Sequence, residues 1–261
     1  MKIGFNLFRT DISTDITAHD LLKTFAIITM IIDHIGYFFY PQIEELRLIG
    51  RLSAPVWFFL LGYAMNQKLE LRLWVWAFIL FAGTGYMKSG MGMLPLNILL
   101  MFLFTRATLS YTMALSTKSF ERLFGIFWVC LLLMIPSMAL VEYGTLGFLF
   151  AMAGYMTRRK DTLEHISDTQ LNGFMVLAIL AYGFNMWWQF GFETINGVML
   201  LILLACMCLS LLHFTARTFP ANQGLLKIIK YPLFLTGRRT LEIYVLHFLF
   251  FMYLVVYGLP F

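Results

Sequence analysis

"IITMIIDHIG", residues 27–36, sets an acid and a histidine side by side inside an unbroken apolar run. Continuous apolarity without period-two alternation reads as a helix in hydrocarbon, because helices and closed barrels alone satisfy the backbone there. The run extends from Leu21 to Tyr40, which meets the ~20 residues that a core of roughly 30 Å requires. An ionisable side chain at such depth costs at least about 2.5 kcal/mol on insertion scales, so Asp33 and His34 mark a candidate site.

The rest of the chain repeats the pattern. Of 261 residues 60% are hydrophobic and 13% charged, whereas soluble domains carry about 25% charged residues. Apolar runs at Leu21 to Tyr40, Leu52 to Gln67, Leu73 to Tyr86, Met93 to Tyr111, Leu123 to Val141, Leu146 to Met156, Gly173 to Phe190, Asn196 to Phe214 and Thr240 to Tyr257 predict an all-α, polytopic transmembrane bundle of roughly nine spans. Several are short enough to suggest tilted or re-entrant helices. The first run ends without a small-residue cleavage motif, so it is expected to stay in the mature protein.

Basic residues alternate between loops. Lys2, Arg9 and Lys23, then Lys68 and Arg72, then Arg106, Lys118 and Arg122, then Arg158, Arg159 and Lys160, and finally Arg217, Lys227, Lys230, Arg238 and Arg239 fall on one side of this threading. The opposite loops hold only Arg47, Arg51 and Lys88. The positive-inside rule then puts the N-terminus in the cytoplasm and the C-terminus in the periplasm. The net charge of +5 is spread over these loops and reports orientation, not nucleic-acid binding.

No connection is long enough to fold alone, so residues 1–261 are expected to form a single domain in which helices and short loops build any chemistry. The glycine-rich "AGTGYMKSGMGM", residues 82–93, lacks the Walker spacing and reads as an outer turn. Cys130, Cys206 and Cys208 lie inside apolar runs without paired spacing, so neither a disulfide framework nor a metal site is expected.

Adjacent helical residues point about 100° apart, so Asp33 and His34 face different partners. Asp33 calls for a cation, and Arg51, which opens the second span from the same side, is the candidate. That pair is either architectural or part of a reaction centre. His34, with an ordinary pKa near 6.5, is suited to accept and release a proton near neutral pH, although a packing role is the alternative. In the last span, "GRRTLEIYVLHFLFFMY", residues 237–253, the spacing puts Thr240, Tyr244 and His247 on one helical face and Glu242 nearer another. The stripe is either a polar route or interhelical hydrogen-bond glue. Asn97 carries the same ambiguity and Asn185 reads as glue, while His19, His165 and His213 read as interface or loop residues. Arg238 and Arg239 at the inner end of this span suit lipid headgroups or the phosphates of a nucleotide-like donor.

"DLLKTFAIITMIIDHIGYFF" (20–39), "IGRLSAPVWFFLLGYAM" (49–65), "PLNILLMFLF" (95–104) and "RTLEIYVLHFLF" (239–250), in that order, resemble the TraX family of conjugal-transfer membrane proteins. The Asp-His span and the Gly-Arg-x-x-x-Pro opening of the second span carry most of the resemblance. Ser53 and Ala54 stand where an Ala-Phe-like pair is expected, a departure that bears on packing more than on chemistry. The resemblance implies a membrane acetyltransferase of the bacterial inner membrane that moves an acetyl group from acetyl-CoA to the N-terminal amine of a conjugative pilin subunit. It is also distantly similar to integral-membrane acyltransferases with a central intramembrane histidine. It maps onto Asp33, His34, Arg51, Pro55 and Asn97, and less closely onto Glu242 and His247.

The resulting expectation makes His34 the general base toward the acceptor amine, with Asp33 or Arg51 fixing its surroundings and Arg51, Asn97 or a helix N-terminus meeting the developing oxyanion. Arg238 and Arg239 would take the donor's phosphates, and the face carrying Tyr244 and His247 would line the pantetheine route, with Glu242 nearby. Acetyl-CoA, the pilin and membrane lipids are the expected partners, without metal or nucleic acid. Three rivals remain open: transfer to a cell-envelope glycan, a proton-coupled transporter, since buried Asp, His and Arg also mark ion pathways, and an assembly factor that only chaperones the pilin.

Overall fold

A computed structural model of the chain describes residues 15–87, 94–220 and 224–258. In chain order these form a two-residue strand β1 (Ile16–Thr17), α1 (Ala18–Phe38), α2 (Glu44–Gly50), α3 (Ser53–Tyr63), α4 (Leu71–Met87), α5 (Ile98–Ser116), α6 (Phe120–Leu132), α7 (Met134–Leu140), α8 (Gly144–Arg159), α9 (Asp168–Phe190), α10 (Thr194–Leu212), a strand β2 (Thr218–Phe219), α11 (Gly224–Arg238) and α12 (Thr240–Val256). Lys2 and Arg9, residues 88–93 of the glycine-rich segment with Met93 at the expected start of the fourth span, and the connection around Asn222 lie outside the described residues.

The protein is an all-α membrane protein, and its described residues hold fewer full-length spans than the apolar runs suggest. Among the described residues α1, α5, α9 and α10 are long and apolar enough to cross a bilayer, and six spans result if two bent helix pairs each count as one. The described helices do not confirm the expected count of roughly nine, and the shortfall is one of length. At 1.5 Å per residue the 11 residues of α3 rise only about 16 Å. The run from Leu123 to Val141 is broken into α6 and α7, bent by 57° at Leu133, where Pro136 cannot donate its helical hydrogen bond. Pro232 sits within α11, and residues 228–238 meet α12 at 77°. In α8, all residues from Gly144 to Thr157 except Thr145 and Tyr155 are buried; a helix apolar on every side is covered by other helices instead of facing lipid.

The chain forms two compact units. The first comprises β1, α1, α2, α4, β2, α11 and α12. Here α1 packs against α2, α11 and α12, and α12 also packs against α4. β1 and β2 pair antiparallel, Ile16 opposite Phe219. A capping box starts α1: the Thr17 hydroxyl accepts from the Asp20 N–H at 3.1 Å, and the Asp20 carboxylate accepts from the Thr17 N–H at 3.0 Å.

The second unit comprises residues 54–69, with most of α3, and α5 to α10. It is organised around α8, which contacts α5, α6, α7 and α9, while α10 packs on α9. A Cβ on Gly154 would strike the main chain of Phe59, and one on Gly62 the main chain of Ala151, so small residues bring α3 and α8 backbone to backbone. Ser167 and Gln170 form a second capping box at the start of α9, and Gly191 ends that helix at φ 62°, a conformation that costs glycine little. Large apolar side chains such as Phe78, Phe104, Leu132, Trp188 and Ile202 are exposed; water would penalise them, whereas lipid tails accept them.

Candidate functional site

The first unit holds the Asp-His pair of α1. Consecutive positions on a helix diverge, and the two side chains meet different helices. Asp33 faces α2. Its Oδ2 accepts from Arg51 Nη2, and its Oδ1 lies 3.0 Å from Arg47 Nη1. The same Arg47 nitrogen donates to the Asp33 main-chain carbonyl at 3.1 Å, so Oδ1 is held by charge more than by an aligned hydrogen bond. Arg51 Nε donates to the Arg47 carbonyl at 3.3 Å, which ties the two arginines into one clamp.

The clamp depends on small residues. A Cβ on Gly50 would overlap the Asp33 side chain, and one on Gly36 would come within 2.8 Å of Leu46 Cβ. Glycine at both places lets α2 lie close enough to α1 for short, buried ion pairing. Asp33 and Arg51 side chains are 9% and 6% exposed, so water screens the pair little. Arg47 also stands over the Tyr37 ring, 5.1 Å from its centroid. The Asp33–Arg51 pairing follows from the sequence; the part of Arg47 does not. Arg47 and Arg51 are four apart, and that spacing was the available signal for a shared face.

His34 faces α12. Its Nδ1 stands 2.7 Å from His247 Nε2, and the two rings meet edge to edge, tilted by 26° with centroids 4.9 Å apart. His247 Nδ1 in turn lies 2.6 Å from the carbonyl oxygen of Ile243, one turn earlier in α12. Tyr244, which is buried, lies 6.0 Å from the His34 ring, and Phe248 meets it edge-on at 4.9 Å. Phe38 closes another side at 6.4 Å. Both histidines are half-buried, not sealed. Of the expected face of α12, Tyr244 and His247 turn together toward α1, and their principal partner is His34.

Two residues before Tyr244, Glu242 accepts from Arg72 of α4 at 2.6 Å and from Arg239 at 3.4 Å. Arg72, which reads in sequence only as a loop charge, thus joins α4 to α12. The two arginines singled out as phosphate contacts differ. Arg238 donates to the Asp15 carbonyl at 3.0 Å, lies 3.6 Å from the Asp20 carboxylate and stacks on Phe234 at 3.7 Å, holding α11 to the start of α1. Arg239 is 50% exposed beyond its contact with Glu242.

Asn97 belongs to the second unit, where its Oδ1 caps α5 by accepting from Leu99 N–H at 3.1 Å and Leu100 N–H at 3.2 Å. Glu142 supports the same helix start by accepting from Ile98 N–H at 3.0 Å. Asn185 donates to the Met138 sulfur at 3.4 Å, an interhelical contact of α9 with α7. Cys130 and Cys208 are buried, Cys206 is exposed, and all three are free thiols. His213 bonds the Leu209 carbonyl at the end of α10, and His165 is exposed in a connection.

Comparison with known proteins adds one family and one relative. The family model described as TraX protein matches residues 18–256, through both units. The uncharacterized protein RP591 of Rickettsia prowazekii (strain Madrid E) is 33% identical over 143 residues, 55% of this chain. The match spans 57% of the length of that relative. No solved structure matches.

Proposed function

Because the chain belongs to the TraX family, we propose that it is a membrane acetyltransferase that moves an acetyl group from acetyl-CoA to the N-terminal amine of a conjugative pilin subunit. On this reading residues 1–261 act as one acyltransferase-like domain of the bacterial inner membrane, with the N-terminus cytoplasmic and the C-terminus periplasmic.

The observation that carries the reaction type is the His34–His247 contact of 2.7 Å within an otherwise aromatic surround. An imidazole paired in this way within an apolar helix is suited to proton handling. In the transfer, the amine lone pair attacks the thioester carbonyl carbon, the C–N bond forms, and the C–S bond breaks with coenzyme A leaving as thiolate. His34 takes the proton that the new amide must lose and returns it to the thiolate, so the step closes without net proton change.

Asp33 and Arg51 act in this scheme by holding α1 against α2, which sets the depth and rotation of His34. Arg239 is the better placed of the two arginines for a donor phosphate, with Arg238 shaping the same end of α11; Glu242 and Tyr244 remain candidate substrate contacts, whereas Asn97 serves α5 of the second unit as its cap. The decisive experiment is the intact mass of mature pilin from cells carrying the native chain, no chain, or His34→Ala at matched membrane levels. Acetylated pilin with the native chain alone is the expected result. Acetylation that persists with His34→Ala overturns the assignment of the base, and pilin that never carries an acetyl group overturns the acceptor.

A further inference from the structure

We infer that His247 is a positioning residue which fixes the tautomer of His34, and that the couple works as a one-proton shuttle closed at its Ile243 end; the inference rests on the acetyl-transfer reading above.

The geometry assigns each hydrogen in turn. A main-chain carbonyl only accepts, so the 2.6 Å contact with Ile243 O requires His247 Nδ1 to carry hydrogen. Neutral imidazole has one N–H, which leaves His247 Nε2 with its lone pair. At 2.7 Å that lone pair accepts from His34, so His34 Nδ1 is the protonated nitrogen and its Nε2 keeps the lone pair. No hydrogen-bond partner meets His34 Nε2 among the described residues, and the ring is half-buried, not sealed. The atom that receives the amine proton is therefore His34 Nε2.

The same chain of contacts limits how far the proton moves. When Nε2 of His34 gains a proton, the ring becomes a cation whose Nδ1–H still points at His247 Nε2, and the charge is shared across that contact. It cannot travel further, because the amide carbonyl of Ile243 is not a proton acceptor near neutral pH. A second proton would set two cations in rings 4.9 Å apart, away from bulk water. The couple thus holds one proton, and that proton leaves as it entered, through His34 Nε2. Acetyl transfer needs this behaviour: the nitrogen of the acceptor gives up one proton and the sulfur of coenzyme A takes one.

The arrangement also gives the acid and the imidazole different partners. Arg47 and Arg51 pair with the Asp33 carboxylate, about 100° around α1 from the histidine contact, and reach His34 through their field without a hydrogen bond. The groups that surround His34 toward α12 are His247, Tyr244 and Phe248. The tautomer is therefore imposed by His247, not by the neighbouring acid.

Two measurements on the full chain in lipid nanodiscs test this. The first is 15N NMR of histidine-labelled protein, with His34 assigned by its loss in His34→Gln. The expected spectrum shows His34 protonated at Nδ1 in the resting protein and a mixture of tautomers in His247→Leu. His34 protonated at Nε2 in the native chain overturns the inference, whatever the activity. The second is acetyl transfer from acetyl-CoA to a synthetic peptide with a free α-amine. His247→Leu should lower kcat by at least about tenfold at unchanged KM for acetyl-CoA, and His247→Gln, whose amide oxygen accepts near the former Nε2, should restore part of it. A raised KM with unaltered kcat would make His247 a donor-binding residue and overturn the positioning role. Native protein that shows the expected tautomer but transfers no acetyl group to any amine overturns the proposed function and the shuttle role, and leaves the tautomer assignment in place.

Discussion

Asp33 and His34 are consecutive in α1, yet one is bound to α2 and the other to α12. The carboxylate is enclosed by Arg47 and Arg51, and the imidazole lies 2.7 Å from His247. Neighbouring residues on a helix cannot share a partner of this size, so the acid and the histidine are joined mechanically through α1 and not by a bond to each other. Damage to the clamp should show first in stability, and damage to the imidazole first in acetyl transfer.

Replacing Asp33 by Ala strands two guanidinium groups in a buried place. Removing one partner of a buried pair costs on the order of 3–5 kcal/mol, and the low exposure of Asp33 and Arg51 argues against much screening. Asp33→Ala should lower the unfolding temperature of purified protein in detergent sharply, whereas His34→Ala should leave it near the native value. Equal losses for both variants would show that the clamp does not hold α1.

Gly50 tests the same contact from the other helix. Its added Cβ would overlap the Asp33 side chain, which is itself locked by two arginines and cannot swing aside. Gly50→Ala should therefore destabilise by about 1–3 kcal/mol, as overpacking does. Gly125→Ala is the control: nothing lies within 4 Å of the position in α6, and alanine is the better helix former. Thermal unfolding that falls equally in both variants would remove the close-approach argument.

The sequence makes the membrane class, the Asp33–Arg51 pair and the shared face of Tyr244 and His247 legible, because each rests on local rules: apolar run length, one unpaired acid near one arginine, and helical spacing. It does not reveal that His247 meets His34, since the two lie 213 residues apart and no local rule aligns α12 with α1. Arg47 and Arg72 read as topology markers because basic residues at helix ends ordinarily mark sidedness; only packing shows that they pair with Asp33 and Glu242. Apolar runs outnumber the described helices long enough to cross for a related reason. Hydropathy measures apolarity, and α3 and α8 are apolar because protein covers them, not because they cross the bilayer at full length.

Arg72 and Glu242 give a contact that can be reversed. The two side chains are 22% and 20% exposed, so screening leaves the pair worth about 1 kcal/mol, less than the buried clamp. Arg72→Glu alone should destabilise, since it sets a second carboxylate beside Glu242, and Glu242→Arg alone should do so by gathering three cations with Arg239. The double variant should recover most of the unfolding temperature. A double variant as unstable as the sum of the singles would mean that α4 and α12 are not joined through this pair.

Arg238 and Arg239 are adjacent and chemically identical, so the difference in their surroundings makes them a controlled comparison. Arg238 spends its donors on Asp15 and Asp20 and its face on Phe234, so Arg238→Ala should loosen α11 from the start of α1 and lower the unfolding temperature by an amount matching about 1–2 kcal/mol. Arg239 is half exposed and among the described residues its side chain pairs with one oxygen of Glu242 at 3.4 Å, so its loss should hardly alter unfolding. Its exposed guanidinium remains able to form paired hydrogen bonds with a phosphate. If it contacts the donor, Arg239→Ala should raise the KM for acetyl-CoA severalfold at unchanged kcat, and Arg239→Lys should recover only part of the loss, because an ammonium keeps the charge without the planar fork. KM values that follow Arg238 and ignore Arg239 would reverse the assignment and move the donor toward the junction of α11 with α1.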